Sequence, residues 1–496
     1  MARNRLGART AVLVVSLSVS LSTLAVAGPG GVAGAQAGGP TILDPRLAVR
    51  TVVDGLVTPT SVAFLGTDDI LVLEKNTGKV RRVVGGKIQS TVLDLAVNFG
   101  SERGLLGIAL HPNFPQNSSV YLHWTESSTG ADTGVLSNTP LLGNRVDRFV
   151  WDGSTLTLAQ NLVKLRAIQQ DASQPERGNH DGGVITFGPD RKLYILVGDA
   201  GRRGQLQNLR DGPFGPGQPD DQFGGPQPDD AHLTGVILRL NDDGSTPSDN
   251  PFFDVGAKMG GEVGENIQKV FAYGLRNSFG MAFDPISGDL WEEENGDDSF
   301  TELNRVEPGF NSGWVQIQGP PDRIAQYKAI ETSFGVDPVT GTVYFGLQQV
   351  RWPPTNIADS PEEALSRLFT LPGARYSAPE FSWKFEVAPG GIGFVAGSGL
   401  GAQFEGDLFV GGARTLLEGG PLFHFNLTGN RRKIGVDDPR LEDRVADNNH
   451  KFDITESESL LIGTQFGIVT DIETGPNGNL VVVSLDQGAI HEISRR

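Results

Sequence analysis

From residue 59 onward, apolar residues come in short runs with alternating polar positions. Each run stops at a turn rich in glycine, asparagine, aspartate or proline. A period of two with such punctuation predicts β-strands joined by tight turns. PTSVAFLGTDDILVLEKNTGKVRRV (59–83) reads as strand, turn, strand, turn, strand. The same grammar returns at 104–126 with 144–153, at 182–201 with 235–244, and at 278–296 followed by TELNRVEPG. It returns again at 404–429 and 468–495, with Asp242-Asp243-Gly244 and Asn477-Gly478 among the turn signals. These copies share a plan rather than a motif. Their wide spacing, with long inserts, predicts an all-β, six-bladed β-propeller over residues 41–496. A stack of β-sandwiches is the alternative, but it lacks this turn-by-turn similarity.

Two stretches break the pattern. Residues 206–233 are rich in Pro, Gly and Asp and predict a long loop. Residues 315–385 contain SPEEALSRL, whose Ser-x-x-Glu start and composition predict a short helix. Both inserts read as long loops on the active-site face rather than as separate domains.

Composition narrows the chemistry. A formal charge of −18 argues against nucleic acid as a partner and against anionic membrane surfaces. The chain has no cysteine, which excludes disulfides, thiolate nucleophiles and cysteine-held metals. At the start, Arg3, Arg5 and Arg9 precede the apolar run 11–27, and small-residue sites follow before Gly28 and Gly38. This is the pattern of a signal peptide within residues 1–37, with a secreted or periplasmic mature protein and no later membrane span.

Four clusters carry candidate chemistry, and each falls at the same end of its blade. His180, one of seven histidines, lies in GNHDGG just before a predicted innermost strand. A lone loop histidine is usually a turn residue, but Gly182 and Gly183 allow close approach by a ligand, and Asp199 ends the next strand. That aspartate suits either orienting an imidazole base or capping a turn. WEEENGDDSFTELN (291–304) holds six carboxylates in fourteen residues, fit for a hard cation or for an acidic rim. Arg276 and Asn277 precede another innermost strand, where a guanidinium suits a carbonyl, carboxylate or phosphate, or a salt bridge to the acidic loop. Glu102 and Arg103 precede a fourth. Convergence of all four on one mouth predicts an active site there.

ERGLLGIALHPNF, NHDGG with TFGPDRKLYILVGDAG, YGLRNSFGMAFDP and ENGDDSFTELNRVEPGFNSGW together make the chain resemble the soluble quinoprotein glucose/sorbosone dehydrogenases, or aldose sugar dehydrogenases. The resemblance covers much of residues 50–315, more weakly 380–495. It implies a propeller that binds pyrroloquinoline quinone (PQQ) and Ca²⁺ and oxidises an aldose to its lactone, passing electrons to an external acceptor. By motif, His180 would be the general base, Asp199 its support, and Arg276 with Asn277 contacts to the quinone. Glu102 and Arg414 would also lie at the cofactor. The carbonyls of Gly296 and Asp297 would hold Ca²⁺, and Glu302 would belong to a separate calcium site. The chain departs from the pattern where Ile468 and Thr470 stand in place of two arginines, where Glu102 replaces a glutamine, and where Thr301 replaces an acidic residue. Those departures leave two alternatives: a cofactor-free propeller that binds a sugar or protein partner, and a metal-dependent lactonase.

Overall fold

The computed structural model describes residues 39–168, 178–201, 233–331 and 357–496, with the backbone of two further strands, Phe334–Val336 and Val343–Phe345. The expected export signal (1–37) and nearly all of the predicted 206–233 loop lie outside these residues. Among the described residues no helix is long and apolar enough to cross a membrane.

The fold is an all-β propeller. The first sheet runs Pro59–Gly66, Asp69–Glu74, Lys79–Val84, Lys87–Asp94 as an antiparallel meander. The second repeats this with Leu105–Leu110, Ser119–Thr125, Asn144–Trp151 and Leu156–Leu165. The third begins with Ile185–Phe187, Leu193–Val197, Val236–Leu240 and Val270–Tyr273, and the fourth with Met281–Phe283, Leu290–Glu294, Ser299–Val306 and Phe381–Phe385. The fifth begins with Pro389–Phe394, Leu408–Gly412, Leu422–Phe425 and Leu461–Thr464. The sixth takes Val469–Thr474, Leu480–Ser484 and Ala489–Arg495 from the far end of the chain and Leu47–Val53 from near its start. Each first strand packs beside the first strand of the next sheet, and the sixth packs beside the first.

Glycine makes that ring possible. A Cβ on Gly107 would stand 2.2 Å from the Gly183 carbonyl oxygen, and one on Gly393 would stand 2.1 Å from that of Ile472. Side chains stitch the closing joint. Ser61 Oγ and the Val62 N–H donate to Asp471 Oδ2 at 2.8 and 3.0 Å, and Thr470 Oγ1 donates to the Pro59 carbonyl at 3.2 Å.

The core is layered, with one apolar layer between each neighbouring pair of sheets. Leu71 packs with Leu122 between the first and second sheets, while its neighbour Val72 packs with Val483 between the sixth and first. Tyr121 and Ile195 share the next layer, Tyr194 and Leu290 the one after, then Trp291 with Val410, and Phe409 with Leu480. Successive residues of a strand point to opposite faces. Second strands are therefore largely buried on both faces, apolar throughout in LYILV (193–197) but carrying Glu292, Glu293 and Glu294 in LWEEE (290–294). Alternation is a feature of the outer strands, not of these.

The 315–385 insert differs from the loop predicted for it. It contributes Phe381–Phe385 to the fourth sheet and the short parallel strand Arg375–Tyr376 to the third. The predicted helix is present as Pro361–Arg367, with Ser360 Oγ accepting from the Glu363 N–H at 3.2 Å. The fifth sheet also starts earlier than its sequence copy at 404, because its first strand is the glycine-rich PGGIGF (389–394).

Candidate active site

The connections that enter first strands, and those that link second to third strands, share one end of the sheets. Glu102 precedes Leu105–Leu110, His180 precedes Ile185–Phe187, and Arg276 with Asn277 precede Met281–Phe283. Asp199 follows Leu193–Val197, and residues 295–298 link Leu290–Glu294 to Ser299–Val306. The structure brings these together.

His180 has φ of 58°, a left-handed conformation uncommon outside glycine, though His tolerates it better than most residues. Its carbonyl accepts from the Ala200 N–H at 3.3 Å. Its imidazole Nδ1 lies 2.6 Å from Asp199 Oδ1. Asp199 is 1% exposed and also accepts from the Gly201 N–H at 2.8 Å and from Trp314 Nε1 at 2.8 Å. Burial pushes its carboxyl up, but His180, Arg276 and Trp314 together outweigh burial and hold it below the usual carboxylate range. The aspartate is therefore ionised, and it fixes the proton of His180 on Nδ1. That leaves the Nε2 lone pair for a substrate.

Glu102 Oε2 accepts from the His180 backbone N–H at 2.6 Å and from Asn277 Nδ2 at 3.1 Å. Arg276 is 7% exposed and stacks over Trp314, with Cζ 5.4 Å from the ring centroid. Its Nη1 donates to the Asn295 carbonyl at 2.8 Å and its Nη2 to Asp297 Oδ1 at 3.2 Å. Burial lowers its guanidinium, but Asp297, Asp199, Glu386 and Glu331 more than compensate and keep it charged. Arg276 Nε and Asn277 Oδ1 are buried without a hydrogen-bond partner.

Gly296 belongs to a turn so tight that a Cβ would lie 1.9 Å from the Ser299 carbonyl oxygen. Among the described residues, Asp297, Asp298 and Glu331 are the carboxylates that could share a metal ion, with one ligand oxygen from each within 4.8 Å of the others. Glu302 is not in that group. It is buried with Glu292 and Glu294, accepting from Asn304 Nδ2 at 3.0 Å and the Gly319 N–H at 2.5 Å, and burial pushes it up to about 7. Arg414 is exposed, in the second-to-third connection of the fifth sheet, with Cζ 5.4 Å from the Phe452 ring.

Three neighbours of these residues were not singled out in the sequence, although Trp314 closes the stretch ENGDDSFTELNRVEPGFNSGW. Trp314 buttresses both Asp199 and Arg276. Glu386 receives the Thr301 hydroxyl at 2.7 Å. Lys451 Nζ donates to the Asp297 carbonyl at 2.6 Å and to Asp298 Oδ1 at 3.0 Å. Burial lowers this ammonium, but Asp298, Asp297 and Glu386 outweigh burial and raise it above the ordinary lysine value.

The residues fit an anionic quinone. Arg276, Lys451 and Arg414 set three cations among the carboxylates of this site, and Arg276 Nε and Asn277 Oδ1 have no hydrogen-bond partner of their own. They do not fit Ca²⁺ on the Asp297 carbonyl. A calcium–oxygen bond of about 2.3–2.6 Å would put the ion beside an ammonium already bonded to that oxygen.

A family model described as Glucose / Sorbosone dehydrogenase matches residues 56–328. The chain belongs to this family. It is 31% identical over 283 residues to quinoprotein glucose dehydrogenase B of Acinetobacter calcoaceticus, covering 55% of this chain and 53% of that protein's own length. It is 23% identical over 452 residues to the aldose sugar dehydrogenase YliI of Escherichia coli, covering 90% and 93% of the two chains. The fold matches the PQQ-bound aldose sugar dehydrogenase of Streptomyces coelicolor with a TM-score of 0.55 at 22% identity, over 91% of this chain and 99% of that one.

Proposed function

We propose that the protein is a PQQ-dependent dehydrogenase that oxidises an aldose to its lactone and hands the electrons to an external acceptor. The six sheets of four or more strands are read as its six blades, with the site on the face of the long connections. The His180–Asp199 pair carries this reading, held buried at 2.6 Å beside a charged Arg276. PQQ, when bound, supplies the electrophilic carbon that takes a hydride.

Arg276 and Asn277 would hold the quinone, with Glu102 at its edge and Arg414 at the rim. His180 Nε2 takes the proton from the anomeric hydroxyl as C1 gives up its hydride. Asp199 balances the imidazolium that forms. The Arg276 guanidinium offers positive charge to an oxygen on which negative charge develops. Trp314 backs both and excludes water beneath them. Residues 1–37 are read as an export signal, which places the enzyme outside the cytoplasm.

The test is reconstitution. Purified protein is supplied with PQQ, with and without Ca²⁺, and assayed for dye reduction across a sugar panel. Dye reduction by at least one aldose, abolished in His180→Ala, is the expected result. Normal PQQ uptake without turnover of any aldose would refute the activity. A second reading, a cofactor-free binding module, draws on Thr470, whose hydroxyl is spent on the Pro59 carbonyl at a place where the family pairs an arginine with PQQ. An absence of PQQ uptake would favour it.

A further inference from the structure

Lys451 stands out because no sequence pattern points to it and the reaction above does not use it. Its Nζ is 2.6 Å from the Asp297 carbonyl, the oxygen at which the family resemblance places calcium. We propose that the Lys451 ammonium is the resident cation of this site and that it takes the place of a divalent metal, so that the anionic quinone binds without one. The proposal rests on the PQQ reading given above.

The lysine is held in place rather than draped across the surface. Asn448, fully buried, donates to the Phe385 carbonyl at 3.0 Å and to the Asp453 carbonyl at 2.7 Å, and accepts from the Phe385 N–H at 2.7 Å. The Phe452 N–H donates to the Glu386 carbonyl at 2.8 Å. These bonds clamp the turn that carries Lys451. Nζ also lies 5.5 Å from the Phe452 ring centroid, a favourable place for a cation. The side chain is 19% exposed, so most of it is held by the protein.

Of the three carboxylates that could otherwise share a metal, Asp297 and Asp298 each give an oxygen to a resident cation, while Glu331 keeps one buried oxygen, Oε2, without a partner. Arg276 Nη2 is on Asp297 Oδ1, and Lys451 Nζ is on Asp298 Oδ1. Glu331 Oε1 accepts from the Asp298 and Ser299 N–H groups at 3.1 Å each and from Ser299 Oγ at 2.7 Å. Thr301 gives its hydroxyl to Glu386 instead of offering a carboxylate. A second cation on the Asp297 carbonyl would sit beside Lys451 and meet like-charge repulsion.

The test uses full-length protein stripped with EDTA and two calorimetric titrations, PQQ with and without Ca²⁺, and Ca²⁺ alone. Wild type should take up PQQ with the same affinity in both conditions and give no Ca²⁺-dependent change at this site. Lys451→Met should lose at least about tenfold in PQQ affinity in EDTA, with Ca²⁺ restoring it, and should gain a Ca²⁺ heat. Lys451→Arg keeps the charge and should behave as wild type, which separates charge from folding. Wild type that binds PQQ only after Ca²⁺ is added would overturn the inference and leave the functional reading standing. Lys451→Arg behaving as Lys451→Met would also overturn it. Wild type that binds no PQQ in either condition removes the functional reading, and this inference with it.

Discussion

Asp199→Asn tests whether the buried pair is a catalytic unit. The carboxylate accepts from His180 Nδ1, the Gly201 N–H and Trp314 Nε1 at 2.6, 2.8 and 2.8 Å. Asparagine keeps the shape but removes the charge, and turns one acceptor into a donor that faces another donor. The larger effect falls on the imidazolium formed when His180 takes a proton. Two unit charges about 4 Å apart at an effective dielectric of about 20 interact by about 4 kcal/mol. At about 1.4 kcal/mol per tenfold in rate, that sets a ceiling of about a thousandfold. We expect kcat to fall by about 10²–10³ with KM little changed, since Asp199 touches the base and not the sugar. The assay is dye-reduction kinetics on PQQ-loaded protein, with thermal unfolding as the control for fold. His180→Ala combined with Asp199→Asn should be no slower than His180→Ala alone, because the two act as one unit. An Asp199→Asn enzyme within tenfold of wild type, or a double variant in which the losses add, would refute the reasoning.

Three further outcomes follow from the geometry. Glu102→Gln keeps an acceptor for the His180 N–H while removing a negative charge beside an anionic cofactor, so calorimetry should show PQQ binding tightened about fivefold, for about 1 kcal/mol. Glu292, fully buried, is pushed up to about 8 by burial, against about 4.3 in the unfolded chain. A raised folded value gives stability that is complete below the unfolded value and is lost as pH rises towards 8, so Glu292→Gln should gain on wild type in melting temperature from pH 5 to pH 8; parallel curves would refute this. Gly107→Ala would put a methyl 2.2 Å from the Gly183 carbonyl oxygen and should cost about 1–3 kcal/mol in urea unfolding.

Turn chemistry made most of the propeller legible in the sequence. Runs such as GPDRKLY (188–194) and GPNGNLV (475–481) each join a first strand to a second strand at the positions predicted. The first strand of the fifth sheet escaped because PGGIGF is half glycine and opens on proline, with Ile392 its one β-branched residue. The physical cause is the ring itself: a Cβ on Gly390 would lie 2.1 Å from the Val469 carbonyl oxygen, and one on Gly391 would lie 2.6 Å from the Asp471 nitrogen. Close approach demanded glycine, and glycine erased the signal. At the site, His180, Asp199, Arg276, Asn277 and Glu102 were legible because each borders a strand with a recognisable pattern. Lys451 was not, because it reaches Asp297 across 154 residues of sequence from a turn with no periodicity. Glu302, which the resemblance assigns to a separate calcium site, stands apart from the Asp297–Asp298 pair. It shares a segment with Asp297 and Asp298, but it lies along a strand and its hydrogen bonds run to Asn304 and Gly319.

The pairing of Leu47–Val53 with Ala489–Arg495 has a consequence in time. Arg50 meets Glu492 across 442 residues of sequence. At about 5–20 residues per second, a ribosome needs tens of seconds to deliver the second partner after the first. Until then the early strand has no mate, and the joint between the sixth and first sheets stays open. The ring therefore closes only after the last strand has been made, and any nascent chain still short of Ala489 carries an unpaired strand edge that a holding chaperone has to shelter.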